Sequence, residues 1–356
     1  MLKSDQSTVR LSFVGDILPS NLPYTVGFGN YNKIENINIT HHPNKPDIFF
    51  ANLESPILYN IYNRPFAGNP QIINLFKTTG INIVSIANNH ILEYGKKGFY
   101  ETLQILKKNN IKVIGINEDI SSNIEYFNIG TNNIAFAAFN MIHDIENPSL
   151  YAVLTELGIE IALAKMFENK ATFKILSFHW GNEYMIMPNE QQIKLAKYAI
   201  EKGCDLIIGH HPHVVQKIDK INNRYVFYSL GNAYFDYLFS SNVKKGLRVN
   251  AILNNNNLKI QYNYIYTKEF GFNKINENTK LLLFSEKDKQ KLNNKNYSQW
   301  YIKKTKKVRL INRIKMKLFL IKLFFSLNLN NKWQLIINIK HVFKKSLKKY
   351  RNGRKI

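Results

Sequence analysis

The sequence has a single cysteine, Cys204, among 356 residues. No intrachain disulfide can form, so the core must stabilise the fold, and nothing calls for an oxidising compartment. No run of about 18 uncharged apolar residues is present, which argues against a membrane-spanning helix. The first residues lack the apolar stretch that a cleaved signal peptide needs. We therefore expect a cytoplasmic protein, and any attachment to the inner membrane face would have to be peripheral.

Acidic residues are scarce, and their distribution divides the chain. The sequence has 49 Lys and Arg against 25 Asp and Glu. Residues 281–356 hold 22 of these bases and 2 of the acids, a net charge of +20, whereas residues 1–280 carry only +4. This change in composition predicts a globular domain over residues 1–278, a polar Lys/Asn-rich linker over 279–307 and a basic amphipathic helical tail over 308–356.

Short apolar runs alternate with helical patterns along the first 253 residues. Helical spacing predicts helices over residues 95–110 and 190–202, and Gly203 follows the second as a C-terminal cap. Strands that alternate with helices indicate an α/β fold. The predicted strands, rich in Ile, Val and Phe, cover residues 9–14, 47–52, 82–87, 112–116, 133–140, 174–178, 205–208, 225–229 and 248–253.

Five polar clusters directly follow predicted strands. The carboxyl ends of parallel strands lie together on one side of a sheet, so we expect the clusters to meet. Carboxylates, amide oxygens and imidazoles are the donors that bind divalent metals, and a metal pair can clamp a transferring phosphoryl group. The clusters are Gly15-Asp16, Asn52-Leu53-Glu54, Asn88-Asn89-His90, His179-Trp180-Gly181 and Gly209-His210-His211-Pro212-His213.

The same residues carry a resemblance that extends over residues 9–253. The sequence resembles the capsule-synthesis CapA family, whose domain belongs to the calcineurin-like metallophosphoesterase superfamily. The resemblance implies a four-layer α/β/β/α sandwich of metallophosphoesterase type, here with a basic helical C-terminal extension. The motifs that carry it are FVGDILPS, ANLESPI, ANNHILEYGKKGFYETLQIL, ILSFHWGNEY, GCDLIIGHHPHVVQ and YSLGNAYFD.

The resemblance also implies roles for individual residues. The cofactor would be one or two divalent ions, with Mn, Fe and Zn as candidates. His90, with Asn89 beside it, would act on the substrate as proton donor or charge stabiliser. The metal ligands would be Asp16, Glu54 and His213 for a first ion, and Glu54, Asn89, His179 and His211 for a second.

Two positions depart from the superfamily pattern. Phosphoesterases carry a His two residues after the first Asp, and here that position is Leu18. The bridging acid, normally in a Gly-Asp-x-x-Asp motif, is Glu54 in Asn-Leu-Glu. The reduced motif is typical of the CapA family, but the first metal site loses a nitrogen ligand. This weakens the expectation of phosphatase activity.

Each candidate also has an ordinary structural interpretation. Asp16 could cap a loop, Glu54 could be a loop acid, and His179 could be a satisfied core histidine. Asn89 and His90 could form a turn, since Asn-Asn is a turn signal.

The histidines that follow the strand at residues 205–208, and two further polar residues, are also candidate site residues. An extended backbone would direct His211 and His213 to one face and His210 the other way, so His210 is predicted to be structural. Glu183 could orient a ligand or be solvated, and Asn232 could line the pocket or close a strand.

The basic tail has three interpretations. A basic amphipathic helix can lie on an anionic membrane surface or contact a partner. It can also pack on the body with Lys on the solvent side. Nucleic-acid binding is the third option, because charge alone does not choose between polyanions, and it is the least favoured of the three.

Two main functional hypotheses follow. The first is a metal-dependent hydrolase or transferase that acts on a phosphate or acyl centre in capsule or poly-γ-glutamate synthesis, with an anionic polymer or a phosphorylated small molecule as substrate. The alternative is a protein that binds such a polymer or precursor without cleaving it. A nucleic-acid phosphoesterase is a third, weaker hypothesis. The sequence makes no prediction of the oligomeric state.

Overall fold

A computed structural model describes residues 8–19, 45–60, 66–118, 121–142, 150–236, 238–254, 257–267, 274–275 and 279–327, and part of 329–340. Within these ranges the strands are β1 (Thr8–Leu18), β2 (Ile48–Leu53), β3 (Ile83–Ser85), β4 (Lys112–Ile114), β5 (Ile124–Ile129), β6 (Asn132–Asn140), β7 (Phe173–His179), β8 (Leu206–His210), β9 (Ile218–Ile221), β10 (Arg224–Phe227), β11 (Asn232–Phe235), β12 (Lys245–Asn254), β13 (Asn257–Tyr266) and β14 (Lys274–Ile275). The helices are α1 (Ile72–Thr79), α2 (Gly95–Lys108), α3 (Glu156–Glu168), α4 (Glu190–Glu201), α5 (Glu286–Leu292) and α6 (Tyr297–Ser326).

The strands form two sheets. An eight-stranded sheet has the order β14-β13-β12-β1-β2-β3-β4, with β11 paired to β1 off this path, and a six-stranded sheet has the order β5-β6-β7-β8-β10-β9. β1 to β4 pair in parallel, as do β6, β7, β8 and β10. The carboxyl ends of these strands are the ends at which polar clusters were predicted.

Three buried clusters separate four layers. The first lies between the eight-stranded sheet and α1 and α2, and the third lies between the six-stranded sheet and α3 and α4. The middle cluster joins the two sheets face to face, where Phe136 contacts both Phe13 and Phe50 with ring centroids 6.3 and 6.0 Å apart. The predicted four-layer α/β/β/α sandwich is confirmed.

Every predicted strand and helix of the body overlaps an observed one. The largest boundary difference is in β1, which was predicted to end at residue 14 and continues to Leu18 through a break in register at Asp16. Sequence patterns do not predict α3, because its apolar residues surround much of the helix and leave little amphipathic contrast. They do not predict β13 either, because the run of four Asn between the apolar residues of β12 and β13 dilutes the turn signal.

The tail helix begins earlier than predicted and packs on the body. α5 and the first part of α6 occupy residues expected to be a linker, because Tyr297 and Tyr301 insert beside Met185 in a small apolar cluster. The Tyr297 hydroxyl donates to the Pro188 carbonyl at 2.6 Å. No helix among the described residues is both long and apolar enough to span a membrane. The domain boundaries themselves stay a prediction.

The rest of the tail predicted over residues 308–356 is described only as far as residue 340. The described residues between 332 and 340 are helical. Residues 341–356 lie outside the part of the chain that the structure describes.

Candidate metal centre

The first side chain of the site is positioned by a close approach of two backbones. Asp16 donates its amide to the Gly231 carbonyl at 2.9 Å, and it pairs with Asn232 at the start of β11. A Cβ atom on Gly15 would clash with the carbonyl oxygen of Gly231, so only glycine fits there. This contact between the two backbones fixes the position of the Asp16 carboxylate in the site.

The Asp16 carboxylate is fully buried and surrounded by donors. Oδ1 accepts from Asn52 Nδ2 at 2.9 Å and lies 3.0 Å from His210 Nδ1, while Oδ2 accepts from the His211 amide at 3.2 Å. Burial raises the pKa of Asp16, but the contacts with His210 and His213 outweigh it and hold the pKa well below its usual value. Asp16 is therefore a fixed anion and not a loop cap.

Glu54 follows β2 and is a carboxylate buried without hydrogen bonds. It is completely buried, and neither carboxylate oxygen has a hydrogen-bond partner among the described residues. Oε1 lies 3.4 Å from His179 Nε2 and 3.6 Å from His213 Nε2. Burial raises the pKa of Glu54 well above its usual value. A buried carboxylate in this state needs a compensating cation or a proton.

The loop from His210 to His213 has a backbone conformation that the sequence did not predict. The backbone is left-handed at His211 (φ 92°) and His213 (φ 56°), and not extended. Non-glycine residues rarely hold this conformation, which is found at functional sites. Both side chains face the site, as expected. His210 also turns inward, against Asp16, so the prediction that it points the other way is wrong; the left-handed turn breaks the alternation on which that prediction relied.

Asn232 sets the orientation of His213. Its Nδ2 donates to the carbonyls of His213 and Val243 at 3.1 and 3.0 Å, so its Oδ1 must be the atom 3.0 Å from His213 Nδ1. His213 Nδ1 therefore carries a proton, and Nε2 is the nitrogen that faces Glu54. Asn232 orients a site residue rather than simply closing a strand.

His179 ends β7 and meets two Asn side chains. Asn52 Nδ2 lies 3.4 Å from His179 Nδ1, and Asn89 Oδ1 lies 2.8 Å from His179 Nε2. Asn88 donates to Asn52 Oδ1 and to the Leu53 carbonyl, which keeps the Asn52 amide turned toward His179 and Asp16. The Asn-rich turn after β3 is thus built into the site.

The three histidines of the centre differ in their preferred charge. Burial lowers the pKa of His179 well below its usual value and lowers that of His211 to about 3. Burial also lowers the pKa of His213, but Glu54 and Asp16 raise it more, to about 10. His179 and His211 are therefore neutral imidazoles at neutral pH, the form that can bind a metal, whereas His213 would have to release the proton on its Nε2 to bind one.

His90 and Glu183 stand at the edge of this group. The His90 ring packs on Phe66 with centroids 4.6 Å apart, and its Nδ1 lies 2.8 Å from Glu93 Oε1. Burial raises the pKa of Glu183, but the histidines His211 and His213 lower it overall. Glu183 therefore interacts electrostatically with the two loop histidines, and its orienting role stays a prediction. Sequence reasoning missed Glu93.

Leu18 stands where the superfamily pattern has a histidine ligand, and its role here is in packing. It is buried, and it packs with Val214, Phe235 and Leu323 of α6 in an apolar cluster beside the centre. Phe235 in turn stacks on His213 with ring centroids 5.0 Å apart. The tail helix therefore rests on the residues that support the site.

Five of the predicted ligands converge. Two groups, Glu54 with His179 and His211, and Asp16 with Glu54 and His213, each place one nitrogen or oxygen atom per residue within 4.8 Å of the others. Glu54 belongs to both groups. The sixth predicted ligand, Asn89, contacts the first group through His179.

The same part of the chain matches a known protein family. Residues 10–237 match the model of the family described as bacterial capsule synthesis protein PGA_cap. The chain is similar to the PGA biosynthesis protein CapA of Bacillus subtilis (strain 168), 30% identical over 206 residues, and to the capsule biosynthesis protein CapA of Bacillus anthracis, 30% identical over 208 residues. These alignments cover 53% of this chain, and 53% and 51% of the relatives. The chain thus spans about half the length of the curated relatives it matches.

Solved structures of similar shape have low sequence identity to the chain. One is a phosphatase of Mycoplasma pneumoniae, 12% identical with a TM-score of 0.49, covering 77% of this chain and 99% of that one. Another is a 5'-nucleotidase precursor of Thermus thermophilus, 12% identical with a TM-score of 0.45, covering 73% and 54%.

Proposed function

The chain belongs to the bacterial capsule synthesis protein family PGA_cap, and we propose that it is a divalent-metal-dependent hydrolase or transferase of capsule or poly-γ-glutamate synthesis. Its substrate would be an anionic polymer or a phosphorylated precursor, cleaved or transferred at a phosphate or acyl centre. The observation that supports this best is the buried Glu54 carboxylate, which has no hydrogen-bond partner among the described residues and is shared by two groups of ligands.

The residues present fit a divalent ion. Without a cation, Glu54 leaves two buried oxygens unsatisfied, and His211 leaves its buried Nδ1 unsatisfied among the described side chains. An ion between the carboxylate and the imidazoles would satisfy these atoms and offset the cost of burial. Mixed oxygen and nitrogen donors suit Mn, Fe and Zn. Because Glu54 belongs to both groups, the set can hold one ion or two.

The chain's own residues would hold the ligand atoms in position around such an ion. When bound, a divalent ion supplies Lewis-acid chemistry and lowers the pKa of water. Asp16, held by Asn52 and by the His211 amide, and His213, oriented by Asn232, keep their donor atoms in place. Such restraint by surrounding hydrogen bonds typically governs metal affinity and activity.

His90 is the residue proposed to move a proton. Glu93 engages its Nδ1, so its Nε2 is the nitrogen that can meet a substrate. There it could donate a proton to a leaving oxygen or stabilise charge that develops on it. Asn89, the neighbour of His90, lies against His179 and so connects this residue to the ligand groups.

A metal titration combined with an activity assay tests the proposal. Purified protein, loaded with Mn²⁺, is assayed on model phosphodiesters and acyl esters, and its metal content is measured by elemental analysis. We expect Glu54→Gln to lower Mn²⁺ affinity by about 100-fold, because it removes the charge shared by both groups. Glu168→Gln, on the exposed end of α3, is the matched control and should bind as the wild type does. A wild type that binds no divalent metal would overturn the proposal.

The alternative is a protein that binds the anionic polymer or precursor without turnover. Leu18 favours this alternative, because it removes a nitrogen donor next to Asp16. The two functions are distinguished by His90→Ala. If wild type shows no turnover, and His90→Ala binds polyglutamate as tightly as wild type, the binding function is supported. Loss of turnover with retained Mn²⁺ affinity supports the enzyme.

A further inference from the structure

Helix α6 is apolar on two opposite sides. One side packs on the body through Tyr297, Tyr301, Thr305 and Leu323, which are buried. The other side carries five large apolar residues that are 52–75% exposed. Steps of three and four residues align them along about 23 Å of the helix. This row, called the tail stripe below, consists of Leu310, Ile314, Leu318, Ile321 and Phe325.

Exposed apolar side chains are concentrated in this region. Nine of the seventeen large apolar residues that are exposed in the described part of the chain lie between residues 302 and 333. They include Leu329 and Trp333, which follow the tail stripe in sequence. The other eight are spread over more than 200 residues of the body. A contiguous exposed apolar surface of this kind marks an interaction site.

Basic residues border the tail stripe on both sides. α6 contains nine Lys and Arg and no acidic residue. At about 100° per residue, exposed basic side chains fall just outside both edges of the apolar row. Those on one edge are Lys306, Arg313 and Lys317, and those on the other are Lys304, Lys315 and Lys322.

We propose that α6 binds an anionic lipid surface, with the tail stripe inserted among the acyl chains and its basic borders against the headgroups. This division of apolar and basic residues is the pattern of helices that lie in a membrane interface. A nucleic acid would meet the charges but leave the tail stripe in water. A second copy of α6 would bring nine more positive charges into contact with the first nine, which opposes pairing of two tails. The last sixteen residues of the sequence, 341–356, add seven more Lys or Arg and no acid.

Binding in this orientation brings the metal centre to the membrane surface. On the side of α6 opposite the tail stripe, Leu323 belongs to the same buried cluster as Val214, which follows His213. Arg309 donates to Asn182 Oδ1 at 3.0 Å, next to Glu183. The site would therefore lie about one helix diameter, ~10 Å, below the bound face of the helix. A lipid-linked or membrane-proximal substrate would be within reach.

Vesicle co-sedimentation of the full chain tests this inference. Phosphatidylcholine vesicles are compared with vesicles that contain about 30% phosphatidylglycerol, at low and high salt. We expect at least about tenfold tighter binding to the anionic vesicles, weakened by salt. The double variant Ile314→Ser/Leu318→Ser should lose about tenfold in affinity, because it removes two inserted side chains.

Matched variants distinguish binding through the tail stripe and its basic borders from nonspecific hydrophobic or electrostatic binding. Leu157→Ser/Ile252→Ser changes two exposed apolar residues of the body and should bind as wild type does. Lys317→Glu/Lys322→Glu should weaken binding, whereas the same reversal at Lys107 and Lys108 of α2 should not. Circular dichroism confirms that each variant is folded.

Three results would overturn the inference. One is equal binding to both kinds of vesicle, or no binding. Another is wild-type affinity in the Ile314→Ser/Leu318→Ser variant. The third is a DNA duplex, or a second copy of the chain, that binds through α6 in the absence of any vesicle binding. None of these measurements depends on metal or turnover, so the proposed function can fail independently.

Discussion

Nδ1 of His90 lies 2.8 Å from Oε1 of Glu93, three residues later in the chain. Glu93 is almost fully buried, and His90 also packs on Phe66. The ring is therefore fixed through one nitrogen and one face before any substrate arrives. Such restraint is what a proton-transfer residue requires, because a small misplacement costs rate rather than binding.

Removing the charge of Glu93 should therefore affect turnover more than substrate affinity. We expect Glu93→Gln to lower kcat by about tenfold or more and to change KM by less than about twofold. Steady-state kinetics with a model phosphodiester measures both. Glu101→Gln is a matched control, because Glu101 lies on the nearby helix α2 and also accepts a hydrogen bond, but from the Tyr59 amide. A parallel rise in KM would show that Glu93 supports substrate binding and not the position of His90.

Replacing Gly15 should unfold the site rather than adjust it. In Gly15→Ala, the new Cβ would clash with the Gly231 carbonyl, and both backbones are held in a sheet. We expect a loss of more than about 3 kcal/mol in the free energy of unfolding, measured by urea titration. Gly95→Ala isolates the effect of backbone strain, because its φ is 66° and no heavy atom lies within 4 Å of the added Cβ. It should cost only about 1 kcal/mol, and equal losses would contradict the clash.

The two apolar sides of α6 should respond differently to truncation. Leu323→Ala leaves a cavity in the cluster with Leu18 and Phe235, and should cost about 2–4 kcal/mol. Leu318→Ala, on the exposed side of the same helix, should stay within about 0.5 kcal/mol of wild type. Thermal unfolding in the absence of lipid compares them. Equal, small effects would mean that the tail does not pack on the body in solution.

Cys204 should resist modification and make the protein sensitive to alkali. Burial raises the pKa of its thiol from 9.0 to about 12. The folded-state pKa is higher than the unfolded one, so this contribution is complete below pH 9 and is lost as the pH rises toward 12. Over that window, the wild type should lose about 4 kcal/mol more stability than Cys204→Ala. A thiol reagent at about pH 8 should react only after denaturant is added; fast labelling of the native protein would contradict this.

The α/β class and the meeting of the polar clusters could be predicted because both depend on strand ends, whereas the four-layer arrangement and the individual ligand roles were implied by the family resemblance. Asp16, Glu54 and His179 each stand at or next to the end of a parallel strand, and topology brings such ends together whatever the intervening loops do. His211 and His213 were expected to share one face through extended backbone, and each does lie in a group with Glu54, but by a different route. Left-handed backbone at His211 and His213, and not alternation along a strand, turns them inward.

Other features depend on contacts that no local pattern records. No sequence pattern indicates a role for Glu93. Its partner is His90, whose own role was only a prediction. The early start of α6 at Tyr297 depends on packing against Met185, more than 100 residues away. The inward position of His210 depends on Asp16, 194 residues earlier, whose Oδ1 lies 3.0 Å from His210 Nδ1. Each of these is decided by tertiary contact.

Leu18 links the chemistry of the centre to the attachment of the tail. A His at this position would offer a nitrogen donor two residues after Asp16, but it would place a polar ring in the apolar cluster that Leu18 shares with Leu323. Residue 18 of this chain therefore cannot serve both purposes: a side chain that supports the tail helix leaves no room there for an imidazole ligand.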